Sequence, residues 1–192
     1  MKSFIIAPIF LVFVSCATTP KIESPASLSA AIRTLPSQAV AGMSPKGRLA
    51  YLETKPGDYD EQNRRIHLFS DSPDGGDAES MLFLRLFEDE DGNTIAAAHS
   101  ARPFADGRDA SKTDTYVYRL EEGRWVDVTD SVLPADVPRS SWFRFNEPGD
   151  FIPYGRYESF STRDGRGSSY KFGESTGAIF WRDGRFQYKP KG

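Results

Sequence analysis

The sequence ends in two runs of alternating apolar and polar residues that flank a two-residue turn, Asp183-Gly184. A turn of this type matches the twist of paired antiparallel strands, so it predicts a β-hairpin. The predicted cross-strand pairs are Arg182 with Arg185, Trp181 with Phe186, and Ile179 with Tyr188. One face then carries the side chains that we expect to be buried, namely Ile179, Trp181, Phe186 and Tyr188. The other face carries Phe180, Arg182, Arg185 and Gln187.

Two further hairpins are predicted upstream. Residues 81–87 and 94–100 flank the turn Asp91-Gly92, and residues 115–120 and 124–128 flank Glu121-Glu122-Gly123. Residues 81–87 are apolar on both faces apart from Arg85, which is typical of a central strand. Three hairpins in sequence order therefore indicate an antiparallel sheet.

The segment before these hairpins has helical spacing. Ser27 is positioned to cap a short helix in which Leu28, Ile32 and Leu35 share a face, and Pro36 ends it. Ser44-Pro45 is a second start signal, and Leu49 and Leu52 share a face until Lys55-Pro56-Gly57. We therefore predict an α+β fold, in which an antiparallel β-sheet built from successive hairpins packs against two short N-terminal helices.

The first residues have a different character. Lys2 precedes an uninterrupted apolar run over residues 4–14. A transmembrane helix needs about 20 apolar residues, so this run has the length of a secretory signal rather than of a membrane span. It leads into Phe13-Val14-Ser15-Cys16, and Cys16 is the only cysteine in the chain.

This tetrapeptide resembles the lipobox of bacterial lipoproteins, in which a small residue precedes a cysteine that is lipidated and becomes the first residue of the mature protein. Phe13 stands where that motif usually has leucine. The resemblance implies export and a lipid anchor on Cys16. Because Ala17 rather than aspartate follows the cysteine, it also implies the outer membrane if the host is Gram-negative. Ordinary cleavage after Ala17 and a buried structural cysteine are the alternatives.

The chain is thus predicted to contain a signal peptide at 1–15, a lipidated N-terminus and flexible tether at 16–27, and a single α+β domain at 28–192. With one cysteine, the domain has no internal disulfide to form. A hydrophobic core must therefore hold it together.

Charge and aromatic residues are unevenly distributed. Residues 139–192 contain ten Lys or Arg, six Asp or Glu, and 13 of the 25 aromatic residues, whereas residues 1–138 carry a net charge of −7. Arginine interleaved with aromatic rings suits an anionic, ring-bearing ligand, because rings stack on sugars and arginine holds acidic groups. The candidate ligand surface is Tyr154, Tyr157, Phe180, Arg182 and Arg185. The alternative is that these aromatic residues form core and the two segments face each other.

Chemical motifs are few. The two histidines, His67 and His99, lie on separate predicted strands, and we predict no catalytic residue, cofactor or metal ligand. The acidic stretches 71–79 and 89–93 have calcium-type ligands, but neither has EF-hand spacing, so we expect solvated loops.

Three functions fit these observations. The first is a membrane-anchored envelope lipoprotein that acts as a non-catalytic interaction or structural module. The second is a binding module for an anionic envelope polymer, peptidoglycan or lipopolysaccharide, or an inhibitor of an enzyme that degrades one. The third is a hydrolase built around His67 or His99. The expected partners are the membrane, through the lipid, and an anionic glycan or an envelope protein. The negative net charge and the exported location argue against nucleic acid.

Overall fold

The structure is a computed structural model that describes residues 26–40, 42–54, 58–70, 80–101, 114–161 and 168–191. The predicted signal peptide, Cys16 and most of the tether lie outside the described residues. So do the predicted helix stop at 55–57 and the acidic stretch 71–79.

The described residues form three α-helices, one 3₁₀ segment and ten strands. The helices are α1 (Leu28–Thr34), α2 (Pro45–Thr54) and α3 (Thr129–Val132), and the 3₁₀ segment is Ser37–Val40. The strands are β1 (Asp58–Asp60), β2 (Arg65–Ser70), β3 (Ser80–Glu88), β4 (Thr94–Ala101), β5 (Asp114–Glu121), β6 (Arg124–Asp127), β7 (Trp142–Phe143), β8 (Ile152–Ser161), β9 (Ser168–Arg182) and β10 (Arg185–Pro190).

The strands form two antiparallel sheets. Sheet A has the order β1-β2-β3-β4-β5-β6, so each strand pairs with its neighbour in sequence. Sheet B has the order β10-β9-β8-β7. The predicted α+β class with antiparallel hairpins is confirmed at this level, but the strands divide into two sheets instead of one.

The register of the last hairpin is the predicted one. Arg182 pairs with Arg185, Trp181 with Phe186, and Ile179 with Tyr188. Asp183 and Gly184 have φ angles of 52° and 71°. Two consecutive residues in the left-handed region are what this type of hairpin turn requires, and glycine adopts it without strain.

Sheet A is buried on both faces by two apolar clusters. On one face, Leu82, Leu84 and Leu86 of β3 pack with buried residues of α1, the 3₁₀ segment and α2. On the other face, Met81 and Phe83 pack with residues of sheet B. The order of layers is therefore helices, sheet A, sheet B. The prediction that residues 81–87 form a central strand is confirmed, because β3 lies third of six.

The first helix begins where its cap was predicted. The Ser27 hydroxyl accepts a hydrogen bond from the Ala30 amide at 3.1 Å, and Leu28, Ile32 and Leu35 are buried. Ala26 and Ser27, which were predicted to belong to the tether, are already part of the folded body. The Ala26 amide donates to the hydroxyl of Thr94 at 2.8 Å.

The second helix turns a different face inward from the one expected. Leu49 is 48% exposed, whereas Arg48, Tyr51 and Leu52 are buried. The cause is the Arg48 guanidinium, which donates to the carbonyl oxygens of Leu35, Ile32 and Arg33 at the end of α1. These carbonyls lack helical partners, so a buried arginine that satisfies them determines the rotation of α2.

Candidate functional site

The outward side of sheet B carries an exposed set of cationic and aromatic residues. Ile179, Trp181 and Phe186 belong to the cluster between the two sheets. Because strand side chains alternate, Phe180, Arg182 and Arg185 point the other way. Arg182 and Arg185 are both exposed and stand opposite each other across the turn.

Phe151 and Lys189 extend this set. Phe151, immediately before β8, is 49% exposed and contacts Phe180 in a T-shaped arrangement with ring centroids 5.5 Å apart. The Arg182 guanidinium lies 5.3 Å from the Phe180 ring centre, and the Lys189 ammonium lies 4.4 Å from that of Phe151. We call these residues the outer face: Phe151, Phe180, Arg182, Arg185 and Lys189.

An apolar groove of about 320 Å³ adjoins the outer face. Its floor includes Pro153, Gly177 and Ala178, and Lys189 and Lys191 lie along it. From residue 180 to 191 the chain carries four cationic side chains and one carboxylate, that of Asp183. The outer face therefore combines apolar contact area with a local positive charge in a protein whose net charge is −3.

Two of the five predicted surface residues are not on the outer face. Tyr154 is only 6% exposed and belongs to the cluster between the sheets, and Tyr157 directs its hydroxyl at His99. In a regular strand, residues 154 and 157 would point to opposite faces. Register shifts between Tyr154 and Gly155 and between Gly155 and Tyr157 alter that alternation, so both rings turn inward.

His99 lies in a buried network of hydrogen bonds. Its Nδ1 is 3.0 Å from the Thr115 hydroxyl, which in turn lies 3.5 Å from the carbonyl of Ser141. If the Thr115 hydroxyl donates to that carbonyl, the same hydroxyl oxygen accepts a hydrogen bond from Nδ1–H of His99. Nε2 of His99 then accepts from the Tyr157 hydroxyl at 2.5 Å. Burial lowers the pKa of His99 from 6.5 to about 3 and raises that of Tyr157. His99 is therefore neutral at physiological pH, and its hydrogen bond to Tyr157 links sheet A to sheet B.

His67 has a different environment. It is partly exposed, stacks on Phe83 with ring centroids 4.7 Å apart, and places Nδ1 3.6 Å from a carboxylate oxygen of Asp58. The two histidines are on the same side of sheet A, with Phe83 between them: Phe83 also stacks on His99 at 6.4 Å.

In the part of the chain that the structure describes, no group of three or more His, Cys, Asp or Glu is arranged to hold a metal ion. No helix in the same residues is long and apolar enough to cross a membrane. The acidic turn at residues 89–93 is organised by hydrogen bonds from Asp91, Asn93 and Gly92 to Asp89.

Comparisons with known proteins give no further guidance: no protein family, no curated protein and no solved structure matched this chain.

The sequence pattern did not lead us to predict Phe151 and Lys189 as members of the outer face. Lys189 alternates with Gln187 and Arg185 along β10, so the predicted hairpin contained the signal for it. Phe151 meets Phe180 because Ile152 pairs with Ile179. Nothing local in the sequence predicts a pairing between residues so far apart.

Proposed function

We propose that this chain is a lipid-anchored, non-catalytic interaction module of the bacterial envelope, and that its outer face binds an anionic envelope polymer, peptidoglycan or lipopolysaccharide. Cys16 is the proposed lipid attachment site, and the outer membrane is the proposed location in a Gram-negative host. We also propose that α1 and α2 cover one face of sheet A, and that the outward side of sheet B binds the polymer.

The observation that carries the proposal is the juxtaposition of Arg182 and Arg185. They occupy directly opposed positions, and both are exposed. Like charges in this relation repel each other, so the pair costs stability when it is empty. An acidic group between two guanidinium groups removes that repulsion and receives charge-assisted hydrogen bonds.

The aromatic residues beside this pair favour a polymer with rings over a simple anion. The Phe151 and Phe180 rings and the adjoining groove offer apolar area on which the carbon–hydrogen faces of sugar rings can pack. Arg182 and Lys189 each lie over one of these rings, so cationic and aromatic groups are interleaved at contact distance. An acidic glycan presents the complementary alternation of rings and charges.

Co-sedimentation with purified sacculi, and separately with lipopolysaccharide, tests the binding. We expect the protein to sediment with at least one polymer at low salt and to be released at high salt, because exposed charge contacts are screened. The variant R182A/R185A should lose binding. The matched control is R33A/R124A, which also removes two exposed arginines. Absence of binding to both polymers at low salt, or equal loss in the two variants, contradicts the proposal.

Intact mass of the protein isolated from membranes tests the anchor. We expect the measured mass to be that of a chain that starts at Cys16 and carries acyl groups. Because two buried acyl chains give stable membrane attachment, C16A should leave the membrane fraction. A chain that starts at Thr18, or a C16A variant that still sediments with membranes, would contradict the proposed lipid anchor. Neither result would bear on the proposed binding at the outer face.

A further inference from the structure

A second, polar cavity opens on the other sheet. It has a volume of about 500 Å³ and lies where β1 and β2, at the edge of sheet A, approach the segment between β7 and β8. We call it the cleft. Its lining residues are Asp58, Tyr59, Asp60, Arg65, His67 and Asn146. This volume is within the range of sites for small ligands, about 300–1,000 Å³.

The pairing of β1 with β2 sets the geometry of the cleft. Asp58 pairs with His67, and Asp60 pairs with Arg65. Arg65 donates to Asp60 at 3.1 Å, and Asp60 also accepts from the Asn63 amide at 2.9 Å. This wall is therefore held in place before any ligand arrives.

The opposite wall is also held in place. It is part of the segment between β7 and β8, and the guanidinium of Arg85, in β3, donates to the Gly149 carbonyl at 2.7 Å. Asn146 belongs to this segment. Its side-chain oxygen is buried and makes no hydrogen bond to any residue that the structure describes.

The charges of the cleft exclude one class of ligand. Asp60 is neutralised by Arg65, and Asp150 offsets the charge of Arg85 at the opposite wall. This leaves the carboxylate of Asp58, whose side chain is 82% exposed. The remaining local charge is negative, so an anion is disfavoured. The lining still offers an acceptor on Asp58, the side-chain amide of Asn146, and donors on Arg65 and His67.

We propose that the cleft binds an uncharged saccharide unit. A sugar hydroxyl both donates and accepts, so neighbouring hydroxyls can use the carboxylate and the guanidinium together. His67 supplies ring surface beside these groups, and its ring stacks on that of Phe83. This site is separate from the outer face and does not depend on the function proposed for it.

Titration calorimetry and saturation-transfer NMR on the purified protein test this proposal. The probes are tetramers of N-acetylglucosamine, glucose and mannose, which are uncharged, and tetragalacturonate, which is anionic. We expect at least one uncharged tetramer to bind. D58A and N146A should each weaken that binding about tenfold, because each removes a polar side chain that lines the cleft. D91A is the control, since Asp91 is an exposed carboxylate in the turn between β3 and β4.

The outcomes separate this site from the outer face. R182A/R185A should leave binding of the uncharged tetramer unchanged even though it loses the acidic polymer. The proposal is overturned if none of the three uncharged tetramers binds, or if D58A and D91A have the same effect. It is also overturned if tetragalacturonate competes with the uncharged tetramer and binds more tightly.

Discussion

The hydroxyl of Tyr157 in β8 lies 2.5 Å from Nε2 of His99 in β4. This contact joins sheet B to sheet A through two polar groups in a mainly apolar layer. His99 continues the link to Thr115 in β5. A polar connection of this kind fixes how the two sheets are placed relative to each other, because an alternative packing would leave the imidazole without partners.

The variant Y157F should lower the free energy of unfolding by about 1–3 kcal/mol, because it leaves a buried ring nitrogen without a donor. Y51F is the matched control. The Tyr51 hydroxyl is also buried, but it makes no hydrogen bond in the described residues, so its removal should leave stability unchanged or raise it. Urea unfolding measures both variants. Equal effects would mean that the bond to His99 contributes nothing.

Stability should fall as the pH is lowered from 6.5 toward 3. Burial lowers the pKa of His99 to about 3 in the folded protein, whereas the unfolded value is near 6.5. The unfolded chain therefore binds the proton first. The contribution of His99 is complete above pH 6.5 and is lost at about 1.4 kcal/mol per pH unit below it. The groups that face His99 are Thr115, Tyr157 and the rings of Phe83 and Phe143.

Urea midpoints at pH 7.5, 6 and 5 check this dependence. Most carboxylates stay ionised over this range, so H99Q should remove most of the slope even though it lowers stability overall. A slope that is the same in H99Q and in the natural sequence would show that another group causes it.

Replacement of Arg48 should destabilise the helical layer. Its guanidinium donates to carbonyls at the end of α1, to the Met43 carbonyl and to the Ser37 hydroxyl. R48M leaves these buried acceptors unpaired and should cost about 3 kcal/mol. R48K should recover less than half of that, since an ammonium cannot reach partners in so many directions. R33M, at an exposed arginine, should change stability little in the same unfolding experiment.

The parts of the fold that were predictable are those set by local pattern. The Asp183-Gly184 turn and the alternation around it determine the register of β9 and β10, and the apolar character of both faces of β3 indicates a central strand. These signals act over a few residues, so one sequence contains them completely.

The parts that were not predictable depend on contacts between distant residues. The register shifts around Gly155 turn both Tyr154 and Tyr157 inward. A glycine within a strand suggests a bulge, but it does not predict which way the neighbouring side chains point. The rotation of α2 follows from Arg48 reaching α1, which a pattern based on Leu49 and Leu52 does not contain. Three of the five predicted surface residues, the hairpin arginines and Phe180, are therefore on the outer face, and the two tyrosines are not.

Binding at the outer face is the central claim, and its most direct test is an NMR titration of the isotope-labelled protein with soluble peptidoglycan strands and with lipopolysaccharide. We predict that one polymer shifts the backbone amides of Phe180, Arg182, Arg185 and Lys189 at low salt. Amides of α1 and α2 should not move, and R182A/R185A should abolish the shifts. Shifts confined to other parts of the protein, shifts that persist in the variant, or no shifts with either polymer would contradict the claim.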